Sequence, residues 1–135
     1  MPGRRKKTPS TATLLGAEPQ LFVRDLQVSI DFYREKLGFA VAFTYGEPPF
    51  YGQVCRDTAR LNLRQLDEPA IEPSLQKRAE LLSASITVDD VARLCAEFAA
   101  ADAPFQQELR TQPWGARTFV IADPDGNLIL FAGAA

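Results

Sequence analysis

Gln112-Pro113-Trp114-Gly115-Ala116-Arg117-Thr118-Phe119-Val120-Ile121-Ala122-Asp123-Pro124-Asp125-Gly126-Asn127 is the stretch from which the fold can be read. Thr118 to Ala122 is an unbroken β-forming run, and Leu128 to Phe131 is another. Between them Asp-Pro-Asp-Gly-Asn presets φ at Pro124, allows a positive φ at Gly126, and offers side chains that bond turn amides. The reading is strand, tight turn, closing strand. Asp123 and Asp125 are expected to shape this hairpin and take no part in chemistry. Arg117 could pair with Asp123 or bind an anionic group on a ligand.

Upstream, the pattern is periodic. Leu21 to Arg24 reads as a strand, and Asp25 caps a helix whose Leu26, Ile30, Tyr33 and Leu37 form one apolar face. Gly38 supplies the left-handed stop. Phe39 to Tyr45, Phe50 to Cys55 and Ala59 to Leu66 follow as a meander. A polar stretch, 67–80, reads as a linker with one helical turn around Leu75 to Ala79. The pattern then returns: a strand from Leu82 to Val88, a cap at Asp89 or Asp90, a helix carrying Val91, Leu94, Cys95 and Phe98, and a strand from Phe105 to Arg110 before the two closing strands. At an offset of 65 residues Val23 matches Val88, Asp25 matches Asp90, Leu26 matches Val91, Ile30 matches Cys95, and Tyr33 matches Phe98. Strand, helix and three strands, twice over, point to a tandem duplication. The fold class is α+β, two βαβββ modules at about 18–66 and 81–133 in one domain, 18–135, after a mobile basic leader, 1–17.

At 135 residues the chain is long enough to bury a core without staples. Four of its cations, Arg4, Arg5, Lys6 and Lys7, sit in the leader. Setting them aside leaves 11 basic against 17 acidic residues, a body of about −6. An acidic body excludes nucleic acid as the expected partner and favours cationic ligands. No apolar run approaches membrane-spanning length, so the chain is expected to be cytoplasmic and free of the membrane. Cys55 and Cys95 read as two free thiols, and with no histidine in the chain neither has a base to activate it.

Val23-Arg24-Asp25-Leu26, Ser29-Ile30-Asp31-Phe32-Tyr33 and Leu37-Gly38-Phe39, with the Asp123-to-Asn127 turn, are similar to the signatures of the glyoxalase/bleomycin-resistance (vicinal oxygen chelate) superfamily. The resemblance implies paired βαβββ modules whose sheets curl around a groove. Gln112-Pro113-Trp114-Gly115 and the early Pro19-to-Asp25 run resemble the bleomycin-binding branch. That branch implies a homodimer with an exchanged N-terminal strand, grooves at the subunit interface, and sequestration of a cationic antibiotic without chemistry. The metal enzymes of the superfamily draw ligands from four strand positions. In this chain those fall at Glu18, near Asn62, at Ser83 and at Leu130. One carboxylate with two weak neutral donors does not make a catalytic divalent site, so no metal and no cofactor are expected.

Ligand contacts are expected from aromatic faces: Trp114 first, then Tyr45, Phe50 and Tyr51, with Arg117 for an anionic group. Phe43 is expected to fill the core or a subunit interface. No catalytic residue is assigned. Glu47, Asp57 and Glu108 are the carboxylates that could serve as a base in the alternative reading, a glyoxalase-like lyase, isomerase or transferase acting on a small oxygenated substrate. A third reading is an accessory domain whose groove serves only as a subunit interface.

Overall fold

The computed structural model describes residues 11–134. The first ten residues of the expected leader, its four cations among them, lie outside the described residues, and 11–19 form no helix or strand.

Each module starts with a short strand whose alternate residues are buried. In β1 (Gln20–Val23) these are Leu21 and Val23. Asp25 then opens α1 (Leu26–Leu37), its carboxylate accepting from Val28 N at 3.1 Å. A second acceptor, Gln65 Oε1, takes Leu26 N at 2.8 Å and ties the helix start to the sheet. Gly38, at φ 71°, ends the helix, and Phe39 N closes back on Tyr33 O at 2.9 Å. Only a residue without Cβ takes that left-handed position at no steric cost.

Three strands follow, β2 (Ala40–Tyr45), β3 (Tyr51–Arg56) and β4 (Ala59–Gln65), joined as an antiparallel meander, and β1 returns parallel to β4. After a linker holding α2 (Pro73–Arg78) the plan repeats with β5 (Leu82–Thr87), α3 (Val91–Ala100), β6 (Phe105–Thr111), β7 (Arg117–Ala122) and β8 (Leu128–Gly133). Asp90 caps α3 by accepting from Arg93 N at 3.1 Å. The two four-stranded mixed sheets run β1-β4-β3-β2 and β5-β8-β7-β6, and neither closes on itself. The duplicated order expected from the sequence is the order observed.

Helix and sheet meet through the expected apolar faces. Leu26, Ile30, Tyr33 and Leu37 pack on Val54, Leu61 and Leu63 in the first module, all buried. In the second, the Phe98 ring meets Phe119 and Phe131 edge-on, with centroids 5.8 and 5.2 Å away, and those two stack on each other. Each such side chain contributes about 1.5–3 kcal/mol relative to exposure.

The hairpin turn at Asp123 joins the modules as well as shaping its own hairpin. Asp123 Oδ1 accepts Asp125 N and Asn127 N, and Oδ2 accepts Asn127 Nδ2 and the Tyr33 hydroxyl of the first module, each at 2.9 Å. Asn127 Nδ2 also reaches Phe22 O at 3.0 Å, and Asp125 Oδ1 takes Arg24 N at 2.9 Å. Burial holds the Asp123 carboxyl above its ordinary range, although the bonds from Asn127 and Tyr33 pull it down. Burial first, then the Asp123 charge, pushes the Tyr33 phenol well up, so it remains a donor. Arg117 does not pair with Asp123: it stands at the far end of β7, opposite Gly133, a strand length away.

Candidate functional site

Strand pairing decides which side chains share the sheet face away from α1, because directly paired residues point the same way and alternate residues return to it. Gly52, Val54, Leu61 and Leu63 take the helix side. The open side of the first sheet therefore carries two rows. One runs Phe43, Gln53, Asn62, Gln20; the next runs Tyr45, Tyr51, Arg64, Phe22.

A β-bulge between Val41 and Phe43 shifts the register of β2 and puts Phe43 opposite Gln53 on this face. Phe43 is thus not a core residue of the chain: it is 44% exposed. The bulge restarts the alternation, which a regular strand pattern does not anticipate. The Phe43 and Tyr51 rings lie 6.1 Å apart, and Phe50 meets Tyr45 edge-on at 5.7 Å. Tyr45, Phe50 and Tyr51 are brought together, with Phe43 as a fourth ring. All six residues of β2 are exposed, Tyr45 at 66%.

Beside the rings lies a polar row whose importance the sequence alone did not reveal. Gln53 and Asn62 are 7% and 5% exposed, yet both carry amides on this face. Gln53 Nε2 donates to Asn62 Oδ1 at 2.8 Å and to Glu18 Oε1 at 3.1 Å; Asn62 Nδ2 reaches the same Glu18 oxygen at 3.4 Å. Arg60 Nη1 donates to Gln53 Oε1 at 3.0 Å. Glu18 had entered only as the one carboxylate among the superfamily's metal positions, Asn62 only as a weak neutral donor, and Gln53 not at all. Its signal was available: a polar residue between Gly52 and Val54 in a strand, at the spacing of Tyr51.

Trp114 and Arg117 lie on the other module. Trp114 is 75% exposed on the turn between β6 and β7, which Gln112 N to Ala116 O at 2.7 Å and Gly115 at φ 98° hold closed. Gln112 Nε2 donates to Thr118 Oγ1 at 2.8 Å, fixing the turn to its strand. Arg117 alternates with Phe119 and Ile121 on the helix-covered side, where its charge lowers the Cys95 thiol that burial and Glu108 raise. Within one chain, then, Arg117 does not share the open aromatic face.

Glu47, Asp57 and Glu108 are all exposed and on separate elements, none beside Gln53. The four superfamily ligand positions do not converge on an ion. Glu18 and Asn62 meet, but Ser83 Oγ is engaged by Gln76 and Asn127, and Leu130 has no donor atom. Among the described residues no group of three or more His, Cys, Asp or Glu could hold a metal. The donor set does not fit a divalent ion.

Two cavities flank the sheets. One of ≈ 610 Å³ adjoins the open face through Gln20 and Phe22 and runs beneath the linker at Ile71 toward Leu82. Tyr51 OH donates to Gln20 Oε1 at 3.1 Å, so the aromatic row leads into it. The other, ≈ 460 Å³, lies between the β3–β4 turn and α3 and includes none of the aromatic face.

This architecture has a family. The Glyoxalase/Bleomycin resistance protein/Dioxygenase superfamily matches residues 15–131. The chain belongs to that superfamily. Among solved structures it is similar to the bleomycin-binding protein from bleomycin-producing Streptomyces verticillus complexed with copper(II)-bleomycin, at 26% identity over 93% of this chain and 100% of that one, with a TM-score of 0.72. A bleomycin resistance determinant encoded on the transposon Tn5 is 22% identical over 88% and 97% of the two chains, TM-score 0.71. A glyoxalase-related enzyme from Clostridium phytofermentans matches as well in shape, TM-score 0.72, at 19% identity over 93% and 99%. A search of curated proteins found no match. Members with such different descriptions share the superfamily's fold, so function must be argued from the open face.

Proposed function

We propose that the chain is a non-catalytic binding protein that sequesters a planar, cationic small molecule of the bleomycin type and so confers resistance to it. The observation that carries this reading is the open face of the first sheet, where the exposed rings of Phe43, Tyr45 and Phe50 and the half-buried ring of Tyr51 stand beside a hydrogen-bonded polar row. Rings of this kind bind flat heteroaromatic ligands by stacking and cations by their π faces. The solved relative at 26% identity is a bleomycin-binding protein. Protection then follows from mass action, free ligand falling in proportion to affinity and protein concentration.

The same reading makes the protein a homodimer. Val41, Phe43, Tyr45 and Phe50 are 37%, 44%, 66% and 44% exposed in the single chain, a cost that a second subunit removes. Trp114 of one subunit would then complete the aromatic wall of the other. Strand exchange in this dimer would use residues ahead of Gln20, since β1 lies beside its own β4.

Calorimetric titration with copper(II)-bleomycin and a set of planar antibiotics, with Trp114 fluorescence followed in parallel, tests the proposal. Saturable heat with quenching is expected. No heat and no quenching across the set would reject it, and turnover of a small oxygenated substrate would replace it with the enzyme reading.

A further inference from the structure

We infer that Glu18 is the specificity anchor of the open face, selecting ligands that carry a protonated amine next to an aromatic ring. The inference rests on the open face being a ligand site and adds what its ligand must carry.

Glu18 lies just ahead of β1, where Asn62 N donates to Pro19 O at 3.0 Å and Gln20 is in register with Asn62. Its Oε1 accepts both neighbouring amides, from Gln53 and Asn62. Those amides are themselves committed: Gln53 Nε2 spends its second hydrogen on Asn62 Oδ1, and Gln53 Oε1 is taken by Arg60. The carboxylate is therefore oriented from beneath by a network with little freedom to rotate. Its other oxygen, Oε2, accepts no hydrogen bond among the described residues, and no cation pairs with it there. Arg60, whose guanidinium joins the network, is turned to the amide oxygen of Gln53.

A carboxylate can only accept, so its free oxygen rewards an N–H donor and penalises an anion. Phe43 stands opposite Gln53, and Tyr45 and Tyr51 occupy the next row. A ligand with its ring against these aromatics places an amine two or three carbons away over the polar row. A charged amine gains the carboxylate and the ring faces together. A neutral ring gains only the stacking.

Titration of the full chain with tryptamine, 3-propylindole and indole-3-propionate tests this, since the three share a ring and differ in the charge at the chain end. Tryptamine should bind about tenfold more tightly than 3-propylindole, and indole-3-propionate most weakly. Glu18→Gln keeps an acceptor oxygen for both amides and removes the charge. It should bring tryptamine to within about twofold of 3-propylindole and leave 3-propylindole unchanged. Equal affinities in the unmodified protein, or a tryptamine preference that survives Glu18→Gln, would overturn the inference while leaving the aromatic face as a ligand site. Binding of none of the three would overturn both.

Discussion

Two clusters in this chain use the same ingredients, a carboxylate and side-chain amides, toward opposite ends. At the joint between modules Asp123 is 5% exposed and both oxygens are taken, by two backbone amides, the Asn127 side chain and the Tyr33 hydroxyl. On the open face Glu18 is exposed, and only one oxygen is occupied, by Gln53 and Asn62. A saturated buried acceptor fixes structure, because each donor aimed at it would be orphaned without it. An unsaturated exposed one has bonding capacity left for something else. The contrast teaches where to look for function in a duplicated fold: at the polar group whose bonding is incomplete.

The contrast breaks hardest at the joint. Asp123→Ala removes four hydrogen bonds and strands the Tyr33 hydroxyl and the Asn127 backbone N–H in the interior, while the Asn127 side chain keeps Phe22 O. A loss of about 3 kcal/mol or more in unfolding free energy is expected, read from urea transitions. A variant that unfolds at the unmodified midpoint would mean that the joint does not hold the modules together.

Tyr33→Phe deletes one bond of the four and should cost about 1–3 kcal/mol. Its pH dependence sharpens the point. Burial raises Asp123 above its unfolded value of about 3.9. The stability tied to its proton is therefore complete below that pH and is lost as pH rises through the raised folded value. Removing the Tyr33 bond, which favours the ionised form, raises Asp123 further. The deficit of Tyr33→Phe should thus be largest at neutral pH and shrink on acidification toward about pH 4, measured as paired urea midpoints. A deficit that grows with acidification would reverse the assignment.

Much of the joint's framework was legible in the sequence, and little of its chemistry. The caps at Asp25 and Asp90, the stop at Gly38 and the Asp123-to-Asn127 turn are local devices, set by residues within one turn of one another. Periodicity read both helices and the order of all the strands for the same reason. Asp123 meeting Tyr33 across 90 residues is not local, and nothing near Asp123 announces it. The open face shows the same divide. Tyr45, Phe50 and Tyr51 are neighbours in sequence and were grouped; Glu18 and Gln53 meet only after β1 returns to β4. Of the two places expected for Phe43, the core is ruled out by its 44% exposure, after a bulge that no residue in β2 signals. Arg117 was expected either to pair with Asp123 or to meet an anionic group on a ligand; strand alternation turns it to the helix side, a strand length from Asp123.

A third carboxylate, Glu97 of α3, is exposed like Glu18 but is held in a two-pronged pair with Arg56 of β3. Arg56 Nη1 lies 2.6 Å from Glu97 Oε2, and Nη2 lies 2.9 Å from Oε1. The Arg56 hydrogen bond holds Glu97 below its ordinary range, and Arg56 is raised in turn. Because Glu97 is depressed, its contribution is present above its unfolded pKa and lost as pH falls through the folded one. Solvent screens most of it, so Glu97→Gln should cost less than about 1 kcal/mol, and less still at high salt. A larger cost, insensitive to salt, would put this pair in the same class as the joint.

The smallest expected effect is the most discriminating. Glu18→Gln should leave the urea midpoint unchanged, since the glutamine oxygen still accepts from Gln53 and Asn62 and no buried donor is stranded. Tyr33→Phe, read on the fraction that remains folded, should conversely leave tryptamine affinity unchanged, because the Tyr33 hydroxyl is buried against Asp123 and away from the open face. Stability should therefore follow the joint and binding the open face, each insensitive to the other's substitution. If Glu18→Gln lowered the midpoint as far as Tyr33→Phe does, its carboxylate would be a structural acceptor like Asp123. The free oxygen would then have no claim on a ligand.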